Sequence, residues 1–207
     1  MKLLSRFALL MALLALISIQ PAFAYEYPLS SEAIREAYFL AKASPERARA
    51  FFAKYKHNMP LPTTGANVSL IGVQTPFACI VDDITRGPMN YTAQDAEQDY
   101  LGKPGEFRVH VEIYFTATYP RATDTAIALG EFWRDFKVHL KQSKEVSPRA
   151  VHGQPIYSDE TISGYIGATI DLDYDVKEID PGAITTIEVD TPDEQKVETD
   201  FALNNLR

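Results

Sequence analysis

Phe107-Arg108-Val109-His110-Val111-Glu112-Ile113-Tyr114-Phe115-Thr116-Ala117-Thr118-Tyr119 decides the fold. Phe107, Val109, Val111, Ile113, Phe115, Ala117 and Tyr119 occupy one phase of this stretch, and Arg108, His110, Glu112, Tyr114, Thr116 and Thr118 the other. Successive side chains of a strand point to opposite faces, so a period of two predicts a strand with one face on a core and one partly solvated.

The same period recurs downstream. Ile162, Gly164, Ile166, Ala168, Ile170, Leu172, Tyr174 and Val176 alternate with Ser163, Tyr165, Thr169, Asp171, Asp173, Asp175 and Lys177. Phe136, Val138 and Leu140 alternate with Lys137, His139 and Lys141 in a shorter strand. Pro181-Gly182 leads into Ile184 to Asp190, and Thr191-Pro192-Asp193-Glu194 turns the chain into Lys196 to Leu203, the pattern of a hairpin. Upstream, Val68 to Val73 and Phe77 to Val81 are short apolar runs divided at Thr75-Pro76, which predicts two strands or one bent strand. Residues 120–133 are ambiguous, since Ile127, Leu129 and Phe132 fit either a turn of helix or irregular structure, and Pro148 and Pro155 bracket a loop or poor strand.

Helical signals precede these strands. Leu29-Ser30-Ser31-Glu32 supplies cap candidates ahead of Ile34, Ala37, Tyr38 and Ala41, and Ser44-Pro45-Glu46 starts a second helix carrying Phe51, Phe52 and Tyr55. These two predict an antiparallel hairpin over residues 25–62. Thr92 with Asp95 reads as a capping box for one further short helix that stops at Gly102. The expectation is a mainly β protein, an antiparallel β-sandwich of about seven strands over residues 63–207 preceded by the helical hairpin.

Lys2 and Arg6, the apolar run Phe7 to Ile19 and the exit Ala22-Phe23-Ala24 have the order of a secretory signal peptide over residues 1–24. Cleavage there leaves Tyr25 first, with no cysteine for a lipid anchor, and the apolar run is short for a membrane span. The expectation is a soluble exported protein, periplasmic or extracellular, with no membrane span.

Of the 28 acidic side chains, 13 fall between Ser158 and Arg207 against Lys177, Lys196 and Arg207. That acidic quarter argues against nucleic acid or anionic lipid as its partner. Arg134, Lys137, Lys141, Lys144 and Arg149 form the opposite patch, facing only Asp135 and Glu145 within residues 134–149. The single cysteine, Cys79, sits in the apolar run Phe77-Ala78-Cys79-Ile80-Val81 and reads as a buried thiol without a disulfide partner.

No Gly-x-Ser-x-Gly, Ser-x-x-Lys, His-Glu-x-x-His, phosphate loop or Cys-x-x-Cys occurs. His57, His110, His139 and His152 are scattered, and no cofactor or metal is expected. Arg108, His110 and Glu112 recur on one strand face at intervals of about 6.6 Å. They read as a self-satisfied polar ladder, or as the acid/base pair His110 and Glu112 of a hydrolase assembled from distant residues.

Asp171, Asp173 and Asp175 begin like a calcium loop, but Val176 stands where a sharp turn needs glycine and Gly182 where a bidentate Glu is required. The lysine row Lys137, His139, Lys141 is the expected internal counter-charge. Asn67-Val68-Ser69 and Asn90-Tyr91-Thr92 are glycosylation sequons. The functional expectation is a non-enzymatic binding module for a protein or glycan, with residues 82–106 and 143–161 as recognition loops; the alternative is the secreted hydrolase built on His110 and Glu112.

Overall fold

The computed structural model describes residues 25–102, 105–119, 131–158 and 165–207. The leader expected at 1–24, most of the ambiguous stretch 120–133 and the start of the strand expected from Ile162 lie outside the described residues.

Four α-helices are described: α1 (Ser31–Ala41), α2 (Pro45–Phe52), α3 (Pro76–Arg86) and α4 (Ala93–Leu101). Each starts at a hydroxyl cap. Ser30 accepts from the Ala33 amide, Ser44 from Arg47 and Thr75 from Ala78, and Thr92 with Asp95 completes the capping box read from sequence. None of these helices is long and apolar enough to cross a membrane.

Helix α3 corrects the sequence reading of Phe77 to Val81 as a strand. Thr75 caps and Pro76 occupies the first turn, the same grammar as Ser44-Pro45. Phe77, Ala78, Cys79, Ile80, Val81 and Ile84 are all buried. A helix covered on most sides reads as a continuous apolar run, which periodicity cannot separate from a buried strand.

The expected hairpin is also altered. Ala33, Ile34 and Ala37 of α1 join Phe77, Ile80, Val81 and Ile84 of α3 and Ala96 of α4 in one apolar cluster. Helix α2 buries no residue fully, and Phe51 and Phe52 pack against both this cluster and the main core. So α1 turns its apolar face to the later helices rather than to α2.

Nine strands are described: β1 (Lys56–Asn58), β2 (Asn67–Gln74), β3 (Glu106–Tyr114), β4 (Lys137–Lys141), β5 (Glu145–Val146), β6 (Ala150–Tyr157), β7 (Tyr165–Asp175), β8 (Ile184–Asp190) and β9 (Lys196–Ala202). They form a five-stranded sheet in the order β1-β2-β3-β7-β6 and a four-stranded sheet in the order β5-β4-β8-β9, antiparallel throughout. The protein is therefore a mixed α and β structure with two antiparallel sheets.

Val109, Val111, Ile113, Ile170 and Leu172 of the first sheet share one cluster with Leu140, Ile187, Val189 and Phe201 of the second. Burying each such apolar side chain contributes about 1.5–3 kcal/mol, so this contact between the sheets stabilises the fold substantially. Pro155 sits in β6, at the sheet edge, where a missing N–H is tolerated. The stretches 82–106 and 143–161, expected as recognition loops, are largely regular: α3 and α4 occupy much of the first, β5 and β6 much of the second.

Candidate functional site

The alternation of β3 sends Val109, Val111 and Ile113 into the core and leaves Arg108, His110 and Glu112 half-buried on the opposite face. Register then sets the neighbours. On β7, Asp173 lies across from Arg108, Asp171 from His110 and Asp175 from Glu106. On the far side of β7, the edge strand β6 places His152 opposite Asp171 and Ala150 opposite Asp173. The acidic row is thus flanked by basic residues from both sides.

The contacts follow that register. Arg108 Nε donates to Asp173 Oδ1 at 2.8 Å, His110 Nδ1 lies 2.7 Å from Asp171 Oδ1, and Arg149 pairs with Asp175. His152 Nε2 stands 3.7 Å from the other oxygen of Asp173. The counter-charge expected from Lys137, His139 and Lys141 is not the one used. Strand β4 belongs to the other sheet, between β5 and β8; Lys141 Nζ donates to Glu188 of β8 at 2.8 Å and His139 Nδ1 meets Glu145 of β5 at 2.6 Å. The row is neutralised internally, by Arg108, His110 and Arg149.

His110 is held between two carboxylates, since its Nε2 lies 3.4 Å from Glu112 Oε1. Burial disfavours the charged ring, yet the hydrogen bonds to Asp171 and Glu112 outweigh it and raise the imidazole to about 9. Its partners move in the opposite sense. Glu112 is lowered chiefly by the His110 hydrogen bond; Asp171 is lowered because bonding to His110 overcomes its own burial. Both ring nitrogens of His110 are thus turned to carboxylates, an arrangement that favours the charged ring over the neutral one a general base needs.

The cleft beside this group is small. Tyr55, Gln74, Asp82, Arg86, Arg108, His110 and Asp171 bound a space of about 60 Å³, room for a few waters against the roughly 300–1,000 Å³ of ordinary ligand sites. Helix α3 closes it with an Arg86–Asp82 pair at 3.0 Å. What the arrangement does chemically is hold the two central strands in register through charge-assisted bonds.

The other singled-out residues lie apart. His57 stacks on Phe201 with ring centroids 4.5 Å apart and reaches Thr199 Oγ1 at 2.6 Å. Cys79 is buried in α3, and burial pushes its thiol well above the ordinary range. Asn67 carries a buried side-chain oxygen with no partner among the described residues, whereas Asn90 is exposed. Among the described residues no group of three or more His, Cys, Asp or Glu is placed to hold a metal ion.

Sequence reasoning missed a second region. Trp133, Phe136, Val138, Val151, Ile170 and Leu172 line a cleft at the margin where the two sheets part. The signal that could have pointed there is Gly153, the one position on β6 where an indole can lie directly on the backbone: a Cβ would come within 2.0 Å of the Trp133 ring.

No protein-family model and no curated protein matches the chain. A solved structure of a protein of unknown function from Burkholderia pseudomallei K96243 is similar at 13% identity and a TM-score of 0.35, covering 86% of this chain and 91% of that one.

Proposed function

We propose that the protein is an exported, non-enzymatic binding module on a β-sandwich scaffold with appended helices, acting in the periplasm or outside the cell. The observation that supports this reading over a hydrolase is the placement of His110, whose Nδ1 lies 2.7 Å from Asp171 and whose Nε2 lies 3.4 Å from Glu112, so that both ring nitrogens face carboxylates. The residue best suited by sequence to acid/base work is engaged in a ladder of strand-to-strand bonds, and the cleft next to it, at about 60 Å³, is well below the size of ordinary ligand sites. Export is supported by the charged, apolar and Ala-x-Ala order of residues 1–24. A protein or glycan partner, as expected from sequence, belongs to the same reading.

Titrating His110 by NMR tests the functional half. A pKa near 9 and no His110-dependent turnover of ester, glycoside or peptide probes is the expected result; titration between about 6 and 7, the range of an ordinary histidine, together with activity lost in His110→Gln would establish the hydrolase instead. Intact-mass measurement on the exported fraction tests the other half, with a chain beginning at Tyr25 expected.

A further inference from the structure

Apart from Arg149, which pairs with Asp175, the cationic patch of residues 134–149 is not spent on the acidic row, and part of it borders the cleft between the sheets. That cleft has a volume of about 430 Å³, within the range of small-molecule sites. Strands β4 and β5 bound it from one sheet and β6 and β7 from the other, β5 and β6 being the edges of their sheets. Its apolar lining is Val138, Val151, Ile170 and Leu172, with Trp133 and Phe136 contributed by the segment leading into β4.

Three basic residues, Arg134, Lys137 and His139, stand in the same lining against one acid, Glu145. His139 and Glu145 satisfy each other at 2.6 Å. The Arg134 guanidinium lies 4.7 Å from the centre of the Trp133 ring, its ion pair being an exposed one to Glu131. Lys137 Nζ donates to the Arg134 carbonyl at 3.1 Å and has no carboxylate partner among the described residues. In a chain with a formal charge of -8, an apolar cleft bordered by two cations not committed to buried acids is complementary to a ligand with an apolar body and one negative end.

We propose that this cleft binds a long-chain carboxylate, a free fatty acid, with its tail between the sheets and its carboxylate toward Arg134 and Lys137. The proposal rests on the binding-module reading and goes beyond its protein or glycan partner by naming a small-molecule ligand class for the cleft. Burial of the tail supplies affinity in proportion to apolar area, while the cations select the acid over neutral chains.

The single tryptophan makes the test direct, because Trp133 is in the wall of the cleft. Full-length mature protein is titrated with dibromostearic acid below its micellar concentration. Expected are saturable quenching of Trp133 emission, reversal by palmitic acid, and at least tenfold weaker competition by methyl palmitate. Arg134→Ala with Lys137→Ala, both exposed positions, should weaken the acid about tenfold with an unchanged melting temperature, and Val151→Phe should weaken acid and ester alike. Absence of saturable quenching, equal competition by acid and ester, or indifference to loss of both cations overturns the fatty-acid proposal. Hydrolysis of a nitrophenyl ester by the wild type but not by His110→Gln would instead remove the binding-module reading, so the two failures are read from different measurements.

Discussion

The imidazole Nδ1 of His110 lies 2.7 Å from Oδ1 of Asp171 on the neighbouring strand, joining β3 to β7 at the centre of the five-stranded sheet by a charge-assisted bond. Glu112 holds the other ring nitrogen, and Tyr114 in turn donates to Glu112 at 3.4 Å. With only 19% of the His110 side chain exposed, the ladder is screened less than a surface pair.

Stability should depend on pH through this ring. The folded value of about 9 exceeds the roughly 6.5 of an unfolded histidine. The bound proton therefore stabilises the fold fully below about pH 6.5, and that contribution is lost as pH rises through about 9. A tenfold gain in proton affinity on folding is worth about 1.4 kcal/mol, so the total is a few kcal/mol at most. Urea denaturation of wild type and His110→Gln should show a stability gap that is largest near pH 6 and shrinks steadily by about pH 10. A constant gap would contradict the ladder.

Arg108 and Asp173 should be energetically coupled, and Lys137 and Asp173 should not. The first pair is bonded at 2.8 Å with both side chains mostly buried; Lys137 is on the other sheet. A double-mutant cycle with alanine substitutions should give a coupling of about 1.5–3 kcal/mol for Arg108 with Asp173. For Lys137 with Asp173 it should fall within about 0.5 kcal/mol of zero, as for independent sites.

That contrast shows how far the sequence can be read. The period-two patterns of β3, β7 and β4 are visible because one face of each strand is turned to the core, and the β8–β9 pair is legible from the turn residues that flank it. Phe77 to Val81 escapes the same test because α3 is covered on most sides, leaving Thr75-Pro76 as the only local sign of a helix start. The charge map correctly implies that the acidic row needs internal cations, but complementarity of composition does not choose a partner. Register does that, and it gives Asp173 to Arg108 rather than to a lysine. Trp133, in the wall of the apolar cleft, lies against Gly153 of a distant strand, a relation no spacing encodes.

Cys79 should react slowly with thiol reagents. It is buried within α3, and its Sγ lies 3.8 Å from the Gln74 and Glu106 carbonyl oxygens. Burial holds the thiol in its protonated, unreactive form. Labelling with dithionitrobenzoate should be at least a hundredfold slower in native protein than in urea, and non-reducing gels should show monomer. Fast stoichiometric labelling of native protein would place the thiol outside the core.

Two fully buried tyrosines should respond oppositely to loss of the hydroxyl. The Tyr55 hydroxyl donates to the Arg207 carbonyl oxygen at 2.7 Å and accepts from the Arg207 amide at 3.0 Å. The Tyr174 hydroxyl is buried with no hydrogen-bond partner among the described residues. Burial raises both phenols above their ordinary value, so each is an uncharged donor. Removing the Tyr55 hydroxyl leaves the Arg207 amide without its partner, while the Arg207 carbonyl oxygen keeps the bond from Thr75 Oγ1, and an orphaned buried donor costs about 1–3 kcal/mol. Removing a hydroxyl that has no partner takes away a desolvation cost and keeps the ring that packs the core. Tyr55→Phe should therefore lose about 1–3 kcal/mol in urea denaturation, while Tyr174→Phe should be neutral or gain up to about 1 kcal/mol. A loss in Tyr174→Phe as large as that in Tyr55→Phe would show that the Tyr174 hydroxyl has a partner in solution.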